Sequence, residues 1–205
     1  MSEYYKFLPK IPALPDNLIA ELLDYIYKSD LSQLNTSWWA KDEKYQNRRV
    51  KINEVEYTSS KGILIDLQPK LLDFIHNNIT RDYLKSAAII TDRVSPVWGA
   101  HTDTTRRFLI LNIIEPGGPN VITRWYQEKD KPVFRFEKPN VTPLDYSNLI
   151  ELEKVCYPTN RWILMETKVI HDIQNIMSDR IAINVGLFAE DTDRLIDSPI
   201  YKVFG

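Results

Sequence analysis

Between residues 87 and 188 the chain is a succession of short runs rich in β-branched and aromatic residues, separated by turn-forming stretches, and this pattern constrains the fold more than any other feature. The strand-like runs fall at 87–94, 107–114, 120–126, 133–137, 149–157, 162–171 and 180–188, with Pro116-Gly117-Gly118-Pro119 marking a turn between two of them. The last run alternates without a break. Ile181, Ile183, Val185 and Leu187 share one face, and Arg180, Ala182, Asn184 and Gly186 share the other, as the two-residue period of a strand requires. The first face is made for a core. The second, with one cation, one amide and two very small residues, suits the wall of a polar pocket.

Upstream the periodicity changes to that of helices. Residues 15–27 form an amphipathic pattern with Leu18, Leu22, Leu23 and Ile26 as its apolar stripe and Asp16 near the cap, and residues 70–78 repeat the pattern. Helices followed by many strands lead us to expect a mainly β protein with flanking helices packed outside a β-sandwich-like barrel. There is no internal repeat or long linker, so residues 1–205 are expected to form a single domain. Within it, residues 1–85 would be a helical N-terminal support and residues 86–190 the barrel core.

Charge and composition exclude several classes of function. Lysine and arginine total 26 against 28 acidic residues, a net charge of −2, which leaves no electrostatic footprint for a nonspecific nucleic-acid binder. The opening Met1-Ser-Glu-Tyr-Tyr-Lys6 has no apolar signal core, and no run approaches the length of a membrane span. The one cysteine, Cys156, allows no internal disulfide. These features lead to an expectation of a cytoplasmic protein with no membrane partner, in which the Asn-x-Ser/Thr triplets at Asn35, Asn78 and Asn140 are accidental.

Chemistry concentrates in three places. His101-Thr102-Asp103 is followed by His171, and nine residues later by Arg180. Two imidazoles and one carboxylate make up a 2-His-1-carboxylate facial triad, which holds Fe(II) on one side and leaves the opposite positions open. On a strand, residues two apart point to the same face roughly 6.6 Å apart. His101 and Asp103 are therefore expected to converge on one ion, with Thr102 turned away and His171 arriving from another strand. A lone H-x-D is a common accident, whereas the ordered set with a downstream arginine is specific.

The stretches 101–113 and 171–184 give the chain a resemblance to the Fe(II)/2-oxoglutarate-dependent dioxygenases, particularly the prolyl- and aspartyl-hydroxylase-like group. The H-x-D…H…R order is the part that matches, and the resemblance covers about residues 85 to 190. It implies a double-stranded β-helix (jelly-roll, cupin-like) core, Fe(II) on His101, Asp103 and His171, and 2-oxoglutarate as co-substrate with its distal carboxylate on Arg180. It further implies hydroxylation of a peptide residue or small-molecule substrate with release of succinate and CO2. Halogenating members lack the carboxylate ligand, so Asp103 points to hydroxylation or desaturation. One departure stands out: many members carry Arg-x-Ser where this chain has Arg180-Ile181-Ala182, so the assisting hydroxyl must come from elsewhere or be absent.

The remaining polar and aromatic residues carry two readings each. Asn112 and Asn184 can bind the co-substrate or satisfy backbone groups. Arg106 and Arg107 can hold an anionic substrate or sit solvated on a strand edge. Trp98 and the Arg124-Trp125-Tyr126 triplet suit a pocket wall or, better, core packing. Of Trp38 and Trp39, one is a candidate lid or partner contact. His76 reads as a half-exposed structural residue and Cys156 as packing. Two other classes of function remain open: a cupin-like isomerase or hydrolase using another metal, with Arg180 on its substrate, and a non-catalytic metal-binding module.

Overall fold

A computed structural model describes residues 2–29, 49–52, 55–58, 62–81, 85–91, 97–103, 106–130 and 146–188. The alternating runs become strands in two facing antiparallel sheets. The larger contains β1 (Tyr5–Phe7), β4 (Gly62–Ile65), β5 (Lys85–Thr91), β7 (Arg106–Pro116), β10 (Trp162–Glu166) and β12 (Arg180–Phe188), in the order β1-β10-β7-β12-β5-β4. The smaller contains β6 (Val97–His101), β8 (Ile122–Glu128), β9 (Leu149–Val155) and β11 (Ile170–Gln174), in the order β6-β11-β8-β9. β2 (Arg49–Ile52) and β3 (Val55–Thr58) pair with each other as a separate two-stranded sheet.

The alternation in β12 separates two cores. Ile181, Ile183, Val185 and Leu187 join Leu22 and Ile26 of α1 (Asp16–Lys28) and Leu71 and Ile75 of α2 (Pro69–Asn78) in one buried cluster, so the helices cover the outer face of the larger sheet. Ala182 belongs instead to the cluster between the sheets, with Leu109, Leu111, Ile113, Trp125, Tyr157, Ile163 and Met165. Asp16 in the first turn of α1 and Lys28 in its last complement the helix dipole, and Pro69 opens α2, where a missing N–H costs nothing. Phe74 of α2 stacks on Trp162 of β10 with ring centres 6.2 Å apart, fixing that helix to the sheet.

Some expectations need correcting. The run at 162–171 is two strands: its first half pairs with β7 in the larger sheet and its second with β6 and β8 in the smaller. The polar residues Glu166, Thr167 and Lys168 mark the crossing, where buried polar groups find local partners; Glu166 accepts the Lys168 N–H at 3.0 Å. The first 85 residues are not only helical, since β1 and β4 lengthen the larger sheet at its two edges. Cys156 is exposed because Tyr157, its neighbour, takes the inward side. The strand expected at 133–137 and the Trp38–Trp39 pair lie outside the described residues. Among the described residues, no helix is long and apolar enough to cross a membrane.

Candidate metal centre

His101 closes β6 and faces His171 across the β6–β11 pair, the two being register partners. Their ring centres are 4.5 Å apart. Asp103 lies just past the strand end instead of on it, held by its own N–H donating to the Thr167 carbonyl at 2.8 Å. The ligand atoms of His101, Asp103 and His171 all fall within 4.8 Å of one another, with His101 Nε2 at 3.7 Å from Asp103 Oδ1. Thr102, between the two and also past the strand end, is fully buried.

Each imidazole is oriented by the same device. His101 Nδ1 contacts the Gly99 carbonyl at 2.8 Å, and His171 Nδ1 contacts the Val169 carbonyl at 2.9 Å, in both cases two residues upstream. A carbonyl only accepts, so Nδ1 carries the proton and, in neutral imidazole, the lone pair sits on Nε2. That is the tautomer a metal-binding histidine needs, with its second nitrogen fixed by a backbone acceptor. Lys168 Nζ donates to the Asp103 carbonyl at 3.0 Å, and burial holds its ammonium pKa below the usual range.

Arg180 and Asn184 lie on the inward face of β12 with Ala182; Asn184 is the register partner of inward Leu111. The Arg180 side chain is buried, and among the described residues no carboxylate pairs with it; burial lowers its pKa to about 10 against the pull of Tyr157. A buried guanidinium of this kind calls for an anion. Five buried side-chain atoms lack hydrogen-bond partners among the described residues: the Tyr157 hydroxyl, Asn184 Oδ1, Asn112 Oδ1, Asp172 Oδ1 and Arg124 Nε. Tyr157 is within electrostatic reach of Arg180, and burial raises its pKa. Sequence reading missed it, although an inward tyrosine at the end of a strand-like run, in a chain lacking Arg-x-Ser, was a usable signal.

Other expected site residues lie elsewhere. Asn112 is paired with outward Ile183 and faces the helices, where its Nδ2 contacts Asn160 Oδ1 at 3.5 Å; it is not brought together with the histidines. Asn160 in turn accepts the Leu14 N–H and donates to the Leu14 carbonyl, tying down the N-terminal segment. Trp125 is fully buried opposite His171, stacked against Tyr4 and Tyr5 with ring centres at 5.8 and 5.5 Å, which is core packing. Arg124 lies on the outer face of the smaller sheet and donates to Glu151 at 2.8 Å. Trp98, Arg106 and Arg107 belong to strands, but their side chains lie outside the described residues.

No protein-family model matches the sequence, and no curated protein matches it. Solved structures do. A prolyl hydroxylase from Trichoplax adhaerens, in complex with a hypoxia inducible factor oxygen degradation domain peptide fragment, is similar with a TM-score of 0.54, covering 96% of this chain and 88% of that one at 13% identity. A prolyl-4-hydroxylase from Pseudomonas putida aligns over 90% of each chain at 10% identity with a TM-score of 0.43. The first likeness is one of fold. Strands β5 to β12 form the two facing four-stranded layers of a double-stranded β-helix, with β1 and β4 added at the edges of the larger.

Proposed function

We propose that this chain is an Fe(II)- and 2-oxoglutarate-dependent oxygenase that hydroxylates a peptidyl residue or a small molecule, with release of succinate and CO2. The observation that carries the reading is the convergence of His101, Asp103 and His171 between the sheets of a double-stranded β-helix. Two neutral imidazoles and one carboxylate suit Fe(II) and leave three coordination positions for a chelating 2-oxo acid and dioxygen. Iron with its co-substrate supplies the oxidation of an unactivated C–H bond, and the protein supplies orientation and a dry enclosure.

Arg180 would hold the distal carboxylate of 2-oxoglutarate. Its burial without a carboxylate partner among the described residues supports that role, and its planar fork grips a carboxylate at two points. Tyr157 would donate the hydroxyl that Ala182 cannot. The Asn184 amide lies on the inward face of β12 and would add a polar contact, whereas Asn112 is paired with outward Ile183 and would take no part. The peptide bound to the similar Trichoplax structure favours a peptidyl substrate over a small molecule.

The test is a pair of binding measurements backed by turnover. Arg180→Ala should leave Co(II) affinity near wild type and weaken 2-oxoglutarate by about 2–5 kcal/mol, because truncating one partner strands the ligand's charge. Lysine should rescue only in part, since it keeps the charge without the two-point geometry. Asp103→Ala should damage metal binding first. Succinate release from 2-oxoglutarate, with and without candidate peptides, reads the reaction itself. If wild-type protein binds metal and Arg180→Ala leaves 2-oxoglutarate affinity unchanged, a different metalloenzyme chemistry takes the place of this one.

A further inference from the structure

Behind the metal centre, on the outer face of the smaller sheet, lies a buried polar cluster that the proposed reaction does not use. Asp172 is fully buried beside His171, and its Oδ2 accepts hydrogen bonds from Tyr146 at 2.6 Å, Tyr126 at 3.1 Å and the Gln174 amide at 2.5 Å. Gln174 also donates to the Tyr126 hydroxyl at 3.2 Å. The three donors offset part of the cost of burying this carboxylate and fix where Oδ2 lies, while Oδ1 has no hydrogen-bond partner among the described residues.

The geometry at stake is an irregularity in β6. His171 pairs with His101 and Ile173 pairs with Trp98, so Gly99 and Ala100 together stand opposite Asp172. Such a bulge re-aims the side chain that follows it. Here the residue that follows is a metal ligand. The Gly99 carbonyl orients the His101 ring, and the Ala100 N–H donates to the Tyr146 hydroxyl at 2.9 Å.

We propose that Tyr146 is a positioning residue for the metal centre, its single hydroxyl bracing the backbone before His101 against the side chain after His171. It accepts from Ala100 on β6 and donates to Asp172 on β11, so it spans both sides of the bulge. Burial and the neighbouring Asp172 raise the Tyr146 pKa, so the phenol keeps the proton it donates and offers a lone pair to the amide. Tyr126 makes the useful contrast: it bonds the same carboxylate and meets the Tyr146 ring edge-on at 5.7 Å, yet the Ala100 amide bonds Tyr146.

The proposal rests on the reading that His101, Asp103 and His171 hold a metal, and the test separates the two. Co(II) affinity and the Co(II) visible spectrum are measured for wild type, Tyr146→Phe and Tyr126→Phe, together with the melting temperature of each metal-free protein. Tyr146→Phe should weaken Co(II) about tenfold or more, the range seen when groups orienting metal ligands are removed, and should change the shape of the spectrum. Tyr126→Phe should lower the metal-free melting temperature while leaving affinity and spectrum within about twofold of wild type. Equal Co(II) affinity and an unchanged spectrum in Tyr146→Phe would overturn the brace, as would equal losses in the two variants. If wild type itself binds no Co(II), the metal reading falls and takes this one with it. Should Tyr146→Phe fail to fold, hydrogen exchange in metal-free wild type decides: the Ala100 amide is expected to be protected, and exchange at the rate of an open amide would sink the proposal.

Discussion

Gly117 shows how narrowly a single position can be set. Its φ is +83°, and a Cβ placed there would stand 2.8 Å from the Arg180 Cβ and 3.2 Å from the Ser178 carbonyl. Its own carbonyl receives the N–H groups of Met177 and Ser178 at 2.7 and 3.0 Å, closing the turn that leads into β12. Gly117→Ala is therefore expected to cost about 1–3 kcal/mol of stability in chemical denaturation, from the left-handed backbone and the crowding together. It should also weaken 2-oxoglutarate by pushing Arg180 aside, while Co(II) binding stays intact. At this scale the candidate set was legible, because H-x-D…H names its own side chains, and the fold brings His101, Asp103 and His171 together. The orientation of the rings was not. The carbonyls of Gly99 and Val169 that fix the two imidazoles are backbone groups, which every residue type supplies, so no letter in the sequence signals them.

Among the elements, β12 was the most readable because its two faces meet different surroundings, helices on one side and the space between the sheets on the other. The helices were readable for a similar reason. Leu71 and Ile75 bury the inner side of α2, and Ile75→Ala should cost about 2–5 kcal/mol in thermal or denaturant unfolding, since a filled core position would become a cavity. The stretch from Trp162 to His171 misled because two short apolar runs flank Glu166, Thr167 and Lys168, and period alone cannot say that a chain changes sheets at such a polar step. The order of strands within each sheet is set by partners far away in sequence. Short-range pattern carries no information about them, and the same holds for the Tyr146–Asp172 contact, which joins a short helical turn to a strand 26 residues on.

For the molecule as a whole, a metal held at the proposed site is expected to act as a clasp between β6 and β11. Any ligand that binds the folded state alone stabilises it, and Co(II) at about a hundred times its dissociation constant should contribute roughly 2.7 kcal/mol, read as a rise in melting temperature. His101→Ala or His171→Ala should remove that rise. The pairing of β5 with β12 has a different consequence, for how quickly the protein reaches its native state. Thr91 meets Arg180 and Lys85 meets Gly186, about 90 to 100 residues apart along the chain. Contacts this remote must close large loops before they return any stabilisation, which slows assembly into the millisecond-to-second range typical of such topologies. The two histidines share the handicap, being 70 residues apart. Metal capture should therefore wait on the pairing of β6 with β11, with Co(II) absorbance appearing no earlier than the tryptophan fluorescence change of refolding.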